Sequence, residues 1–157
     1  MIKKHFMIVL LLCVTSVLFA QTAGELDTLL ETKAVSASVS ARFVLGAADL
    51  LPANVSGNDA ESAAFDMAKE KGWIKKEAGE GITLRETAFL IMNAFNMKGG
   101  VMYKFIPNPR YAYREMVYRK LIQGKADPSM SVSGERLLQI IGRTQDYVGT
   151  LATGEQQ

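Results

Sequence analysis

The chain has 157 residues, 18 of them basic and 16 acidic, and its only cysteine (Cys13) and only histidine (His5) both fall within residues 1–20. That segment also holds two of the basic residues and no acidic one, so the remainder has no net charge and lacks the electrostatic footprint of a nucleic-acid partner. The remainder equally lacks a thiol nucleophile, an imidazole base, a disulfide and the usual ligands of zinc or copper, which leaves carboxylate chemistry and oxygen-ligated cations open to it.

Residues 1–20 begin with Lys3 and Lys4, continue as an apolar run from Phe6 and end on the small residue Ala20. This pattern predicts a secretory signal peptide, cleaved before the polar stretch Gln21-Thr22-Ala23-Gly24-Glu25. An uncleaved anchor is the alternative, since the apolar run is near the lower length limit for a bilayer span. Cys13 sits inside that run with apolar residues on both sides, and reads as part of it rather than as a lipid-bearing cysteine. The expected location is the periplasm or cell envelope. Contact with a membrane is expected only through an uncleaved signal segment.

Downstream, apolar residues recur at three-to-four spacing and alternating β-branched runs are scarce, so the expected fold is an all-α bundle of about six helices. The first covers roughly Glu25 to Glu31, and the second runs from Ser38 to Leu50, before Pro52. A third starts at the cap-type residues Asn58 and Asp59 and stops at Gly72. Thr83-Leu84-Arg85-Glu86 forms a capping box that opens the fourth, on which Leu84, Ala88, Ile91 and Phe95 share one face. Asn108-Pro109 opens the fifth, which ends near Ile122 to Gly124. The sixth runs from Ser133 or Gly134 to Tyr147, and residues 149–157 are expected to form a frayed tail.

The chain also matches itself. A shift of 48 residues pairs Ala64 with Ala112, Phe65 with Tyr113, Trp73 with Leu121, Ile74 with Ile122, Thr83 with Ser131 and Leu90 with Leu138, without a gap. A weaker partial copy at a shift of 47 pairs Ser36 with Thr83 and Val44 with Ile91. The expected organisation is one domain over residues 21–148, with a half-repeat at 25–50 and helix-pair repeats at 59–97 and 108–147. One pair cannot bury its apolar face alone, so the copies are expected to share a core.

Leu121-Ile122-Gln123-Gly124-Lys125, Asp127-Pro128 and Val132-Ser133-Gly134-Glu135-Arg136-Leu137-Leu138 resemble the second half of an S-layer homology (SLH) repeat. Gly72-Trp73-Ile74 and Ile82-Thr83-Leu84-Arg85-Glu86 are similar to the corresponding parts of a further copy. The resemblance implies a helical repeat module in which a signature arginine helps bind an anionic cell-wall polymer in a groove between repeats. Here Arg85 stands one place later than the family arginine, and the loop is shortened. Leu26 to Leu45, Lys98-Gly99-Gly100 and Tyr111-Ala112-Tyr113-Arg114-Glu115 also look like small exported envelope proteins of spirochaetes.

Between Val101 and Lys125, tyrosines and basic residues interleave, a composition that can stack on sugars and pair with carboxylates or phosphates. The competing reading places the aromatics in the core and the basic residues on a solvated face. The candidate ligand-binding residues are Arg85, Arg110, Tyr111 and Arg114. Trp73 pairs with Leu121 in the repeat and reads as core, and Met92, Met97, Met102, Met116 and Met130 read as packing residues. Lys98-Gly99-Gly100 reads as a helix stop rather than a phosphate cradle. No motif implies a cofactor or a metal, and Glu77, Glu80 and Asp127 read as solvated loop acids. The expected function is therefore non-catalytic attachment or scaffolding at the envelope, with peptidoglycan or an anionic wall polymer as the ligand. The alternative is a protein-interaction subunit of a periplasmic or outer-membrane complex.

Overall fold

The computed structural model describes residues 24–52, 55–125 and 127–154; the expected signal peptide lies outside them. Seven helices make up nearly all the regular structure among the described residues: α1 (24–31), α2 (Ala37–Ala47), α3 (Gly57–Glu70), α4 (Leu84–Ala94), α5 (Val101–Phe105), α6 (Pro109–Tyr118) and α7 (Gly134–Gly154). The bundle is all-α, as its periodicity predicts, with one helix more than the sequence suggests. The extra element is α5, which buries a single residue, Tyr103, and so lacks an apolar stripe that could be read from the chain.

Three buried residues organise the bundle. The Val35 N–H donates to the Val132 carbonyl (2.8 Å), the Ile82 N–H to the Val35 carbonyl (3.0 Å), and the Val132 N–H to the Ile82 carbonyl (3.4 Å). The hydrogen bonds thus close a triangle among segments distant in sequence. The residue after each corner starts a helix: Ser36 caps α2 by accepting the Val39 N–H, Thr83 precedes α4, and the Ser133 hydroxyl accepts the Arg136 N–H in the first turn of α7. Buried donors and acceptors in a dry centre must find partners, and here the three chain segments supply them to one another.

The apolar faces follow from that geometry. Ser40, Val44 and Ala41 of α2, Thr87, Ile91 and Ala88 of α4, and Leu137 and Ile141 of α7 are buried. Helix α3 packs on α2 and α6 on α4, while α1 closes the remaining side: Gly134 N–H donates to the Thr32 carbonyl, and Leu29 is buried. Among the described residues, every buried side chain lies between Leu29 and Thr144.

Helix ends recur in the same form. Asp49, Gly72, Asn96 and Lys120 all have positive φ (55°, 70°, 48° and 59°). The next residue in each case returns its N–H to a carbonyl five positions back: Leu50 to Leu45, Trp73 to Ala68, Met97 to Met92 and Leu121 to Met116. These are Schellman-type stops, in which a left-handed residue lets the chain turn back and satisfy the last carbonyls. They correct the expected helix ends near Leu50 and at Ile122 to Gly124. The fourth helix likewise stops at Asn96, ahead of the Lys98-Gly99-Gly100 stretch read as its stop.

The same landmarks set the spacing of the helix pairs. Trp73 and Leu121, and Ile74 and Ile122, occupy matching positions at a shift of 48, but the corner residues Ile82 and Val132 match at a shift of 50. The loop before α7 is therefore longer than the loop before α4 by two residues, where the sequence alignment has no gap. Thr83 and Ser131, paired as equivalents in the alignment, instead face each other across an isolated antiparallel bridge. Helix α7 also continues into the expected tail as far as Gly154. No proline interrupts it, each glycine there costs only about 1 kcal/mol, and elongating an existing helix is favourable once it is nucleated.

At the start of α4 the Glu86 carboxylate accepts both the Thr83 N–H (2.9 Å) and the Thr83 hydroxyl (2.6 Å), with the Lys76 ammonium at 3.5 Å. Burial raises the Glu86 pKa, but the Thr83 hydrogen bonds and Lys76 together outweigh it and hold the carboxyl below its ordinary value of 4.5. A depressed folded-state pKa stabilises above the unfolded value, and that stability is lost as pH falls through the folded one. Glu86→Gln is expected to cost about 1 kcal/mol at pH 7. Urea titrations across pH should show the gap between variant and parent closing as the carboxyl protonates; a gap independent of pH would remove the carboxylate from this account.

Candidate functional site

Helices α5 and α6 build the candidate site. The turn before α5 is tight: a Cβ on Gly99 would stand 2.5 Å from the Tyr103 ring, so the chain passes directly over that side chain. Tyr103 points inward, meeting the Phe89 ring edge-on at 6.5 Å and receiving the Asn93 amide N–H on its hydroxyl at 3.3 Å. Burial pushes its hydroxyl pKa up, against the opposing effect of the Asn93 hydrogen bond. The Gly100 N–H donates to Glu115 Oε2 (3.0 Å), Arg119 pairs with Glu115 Oε1 (2.8 Å) and also donates to the Lys98 carbonyl, and Arg119 lies 5.2 Å over the Tyr147 ring of α7. The start of α5 is thereby fastened to the C-terminal half of α6.

With Tyr103 turned in, the rest of α5 faces out. Val101 is 70% exposed, Met102 54%, Phe105 77% and Ile106 54%. Singly exposed apolar residues are ordinary, but a run of large ones on one short element is not. Helix α6 follows, opened by Asn108, whose side chain accepts the Tyr111 N–H (3.1 Å), and by Pro109 at the first helical position. Arg110, Arg114 and Tyr118 are spaced by four residues and so line one helix face, and all three are exposed, Tyr118 by 84%.

Over residues 98–125 there are seven basic residues and one acidic residue. That acid, Glu115, is already bound to Arg119 and to the Gly100 N–H. The side chains of Lys98, Lys104, Arg110 and Arg114 are exposed and have no internal carboxylate partner among the described residues. The surface is thus both basic and apolar.

The four residues expected to bind ligand are not gathered into one pocket. Arg110 and Arg114 share the outer face of α6. Tyr111 is half-buried and packs on the core. Arg85 is exposed on α4, where its backbone N–H donates to the Pro128 carbonyl (3.1 Å). Trp73, half-buried, packs on the core with the Lys71 ammonium 5.4 Å above its ring. Met92, Met97 and Met116 are buried, whereas Met102 is on the exposed face of α5. Asp127 is exposed and accepts the Ser129 hydroxyl and N–H, which lower its pKa; it orders its own loop.

Two of the grooves among the described residues flank the central helices. One, of about 770 Å³, lies between α1, α2 and the start of α3; its Arg42 pairs with Glu25 (2.6 Å) and crosses Phe43 at 5.5 Å, and its Glu61 accepts the Ser38 hydroxyl (2.5 Å). The other is a cleft of about 60 Å³ between the loop after α3, α4 and Pro109, lined by Trp73, Lys76, Glu86 and Phe89. At the corresponding position on α7, Arg136 donates to the Gln123 and Lys125 carbonyls. None of the four expected residues lines either groove. No group of three or more His, Cys, Asp or Glu side chains that could hold a metal gathers among the described residues. No described helix is long and apolar enough to cross a membrane.

Comparison with protein-family models, with curated proteins and with solved structures returns no match to this chain.

Proposed function

We propose that this protein is a non-catalytic binding and scaffolding module of the cell envelope, exported by its N-terminal segment and attached to an envelope polyanion through the basic surface of α5 and α6. The observation that carries the reading is the charge balance of that surface. It offers exposed lysines and arginines while its one carboxylate is consumed internally, and a cationic face without internal partners attracts a polyanion by Coulomb forces and counterion release. The SLH-like motifs support the same reading, since that family holds anionic wall polymer. Arg110 and Arg114 are the residues assigned to binding, because a guanidinium pairs with phosphate or carboxylate in bidentate fashion. Arg85, displaced from the family position and exposed on α4, is not among the residues this reading assigns to the α5 and α6 surface.

Residues 21–157 are expected to be retained on purified wall sacculi that keep their anionic polymer, and to be released by salt as screening shortens the reach of the charges. Arg110→Ala with Arg114→Ala is expected to weaken retention by roughly tenfold or more, at about 1 kcal/mol for each lost contact. Equal retention of parent and double variant, or none of the parent, would remove this surface from the function.

A further inference from the structure

Charge alone does not account for α5. A soluble polyanion needs exposed cations, but it has no use for Val101, Met102, Phe105 and Ile106 held in water. Those four side chains are not part of the packed core, and α5 is fixed by Tyr103 beneath it and by Glu115 on the N–H of its N-cap Gly100. What they share with the neighbouring cations is a layout: an apolar ridge on α5 and its C-cap, Lys104 on the same helix, Lys98 in the turn before it, and Arg110, Arg114 and Tyr118 along the adjoining helix. A bilayer interface rewards that combination. Apolar and aromatic side chains enter the boundary between headgroups and acyl chains, while lysines and arginines stay at the anionic headgroups.

On the basis of the polyanion reading above, we propose that the α5–α6 surface docks on the face of an anionic lipid bilayer, with Phe105, Val101, Met102 and Ile106 seated at the headgroup boundary. The contact is peripheral. It needs no spanning helix and no residue from 1–20, and the short ridge gives a shallow, reversible attachment whose strength depends on both charge and apolar area. The lipid recognised is defined by its negative headgroup and not by a particular species.

The test uses residues 21–157, which keep the core and drop the apolar leader that would itself partition into lipid. Binding is followed by co-sedimentation with vesicles of phosphatidylcholine containing 30 mol% phosphatidylglycerol, and with phosphatidylcholine alone. The parent chain is expected to bind the anionic vesicles and not the neutral ones. Phe105→Ser is expected to weaken that binding by roughly tenfold while leaving thermal unfolding and retention on sacculi unchanged. Arg110→Ala with Arg114→Ala is expected to weaken it by roughly thirtyfold, at about fivefold for each basic residue.

Vesicle binding that ignores Phe105→Ser overturns the bilayer contact and leaves the polyanion reading standing. Equal binding to neutral vesicles overturns it too, because the charge complementarity would then play no part. Self-association of the parent that Phe105→Ser abolishes, without vesicle binding, would give the ridge to a second copy of this chain. Capture of a defined envelope protein by the ridge, again without vesicle binding, would give it to a protein partner. Indifference of both sacculi and vesicles to the arginine double variant would end both readings together.

Discussion

Ile91→Ala is expected to destabilise the fold by about 2–5 kcal/mol, the range for truncating a large buried aliphatic side chain whose surroundings relax only in part. Ile91 is 0% exposed and lies on α4, the helix that packs on both α2 and α6. It occupies the position that Val44 holds on α2 and Ile141 on α7 relative to their caps, and all three are buried. A cavity there would open in the helix that both α2 and α6 pack against, where partial relaxation leaves much of the lost contact unrecovered. The measurement is a urea titration in which the midpoint falls and the slope is unchanged. A loss below about 1 kcal/mol would place the true centre of the core elsewhere.

Gly134→Ala has a different mechanism and a comparable size. A Cβ built on Gly134 would stand 1.7 Å from the Leu29 carbonyl oxygen and 2.5 Å from its carbon. The obstacle is backbone, which cannot swing away as a side-chain tip does, so α1 must shift and strain or lose the Gly134-to-Thr32 hydrogen bond. Overpacking of this kind costs about 1–3 kcal/mol and occasionally more, and a backbone clash belongs at the upper end. Gly142→Ala on the same helix is the control. Nothing lies within 4 Å of its Cβ position, and alanine in a helix interior is worth roughly 0.5–1 kcal/mol over glycine. The two substitutions should therefore move the unfolding midpoint in opposite directions. Equal shifts would mean that α1 does not sit against the start of α7.

Much of this architecture was legible in the chain because helix boundaries are local chemistry. Thr83 with Glu86 and Asn108 with Pro109 open helices as their types predict, and Gly72 turns in the left-handed region as a stop should. Asp49, Asn96 and Lys120 do the same work without being glycine; asparagine and aspartate enter the left-handed region more readily than other side chains but far less than glycine, and lysine gives no signal at all, hence the overrun at Leu50 and Ile122. The two-residue difference before α7 was hidden because an ungapped alignment still places apolar on apolar at most positions. The candidate site was legible only in half. Spacing by four puts Arg110 and Arg114 on one face of α6, and both are exposed. The apolar ridge of α5 was not visible, since Val101, Met102, Phe105 and Ile106 are residue types that ordinarily form a core. Only the inward turn of Tyr103, set by a glycine pair and by Asn93, decides that they do not.

The triangle joining Val35, Ile82 and Val132 also fixes how many units such a protein can have. In an open stack of helix pairs an end unit can be lost, or another added, and the remaining interfaces persist. Here each corner both gives and receives a hydrogen bond, so deleting one strands a buried donor and a buried acceptor on the other two. Insertions should therefore be tolerated only in the connecting loops, and unfolding should engage all three corners in a single cooperative step, with no surviving two-thirds of a molecule.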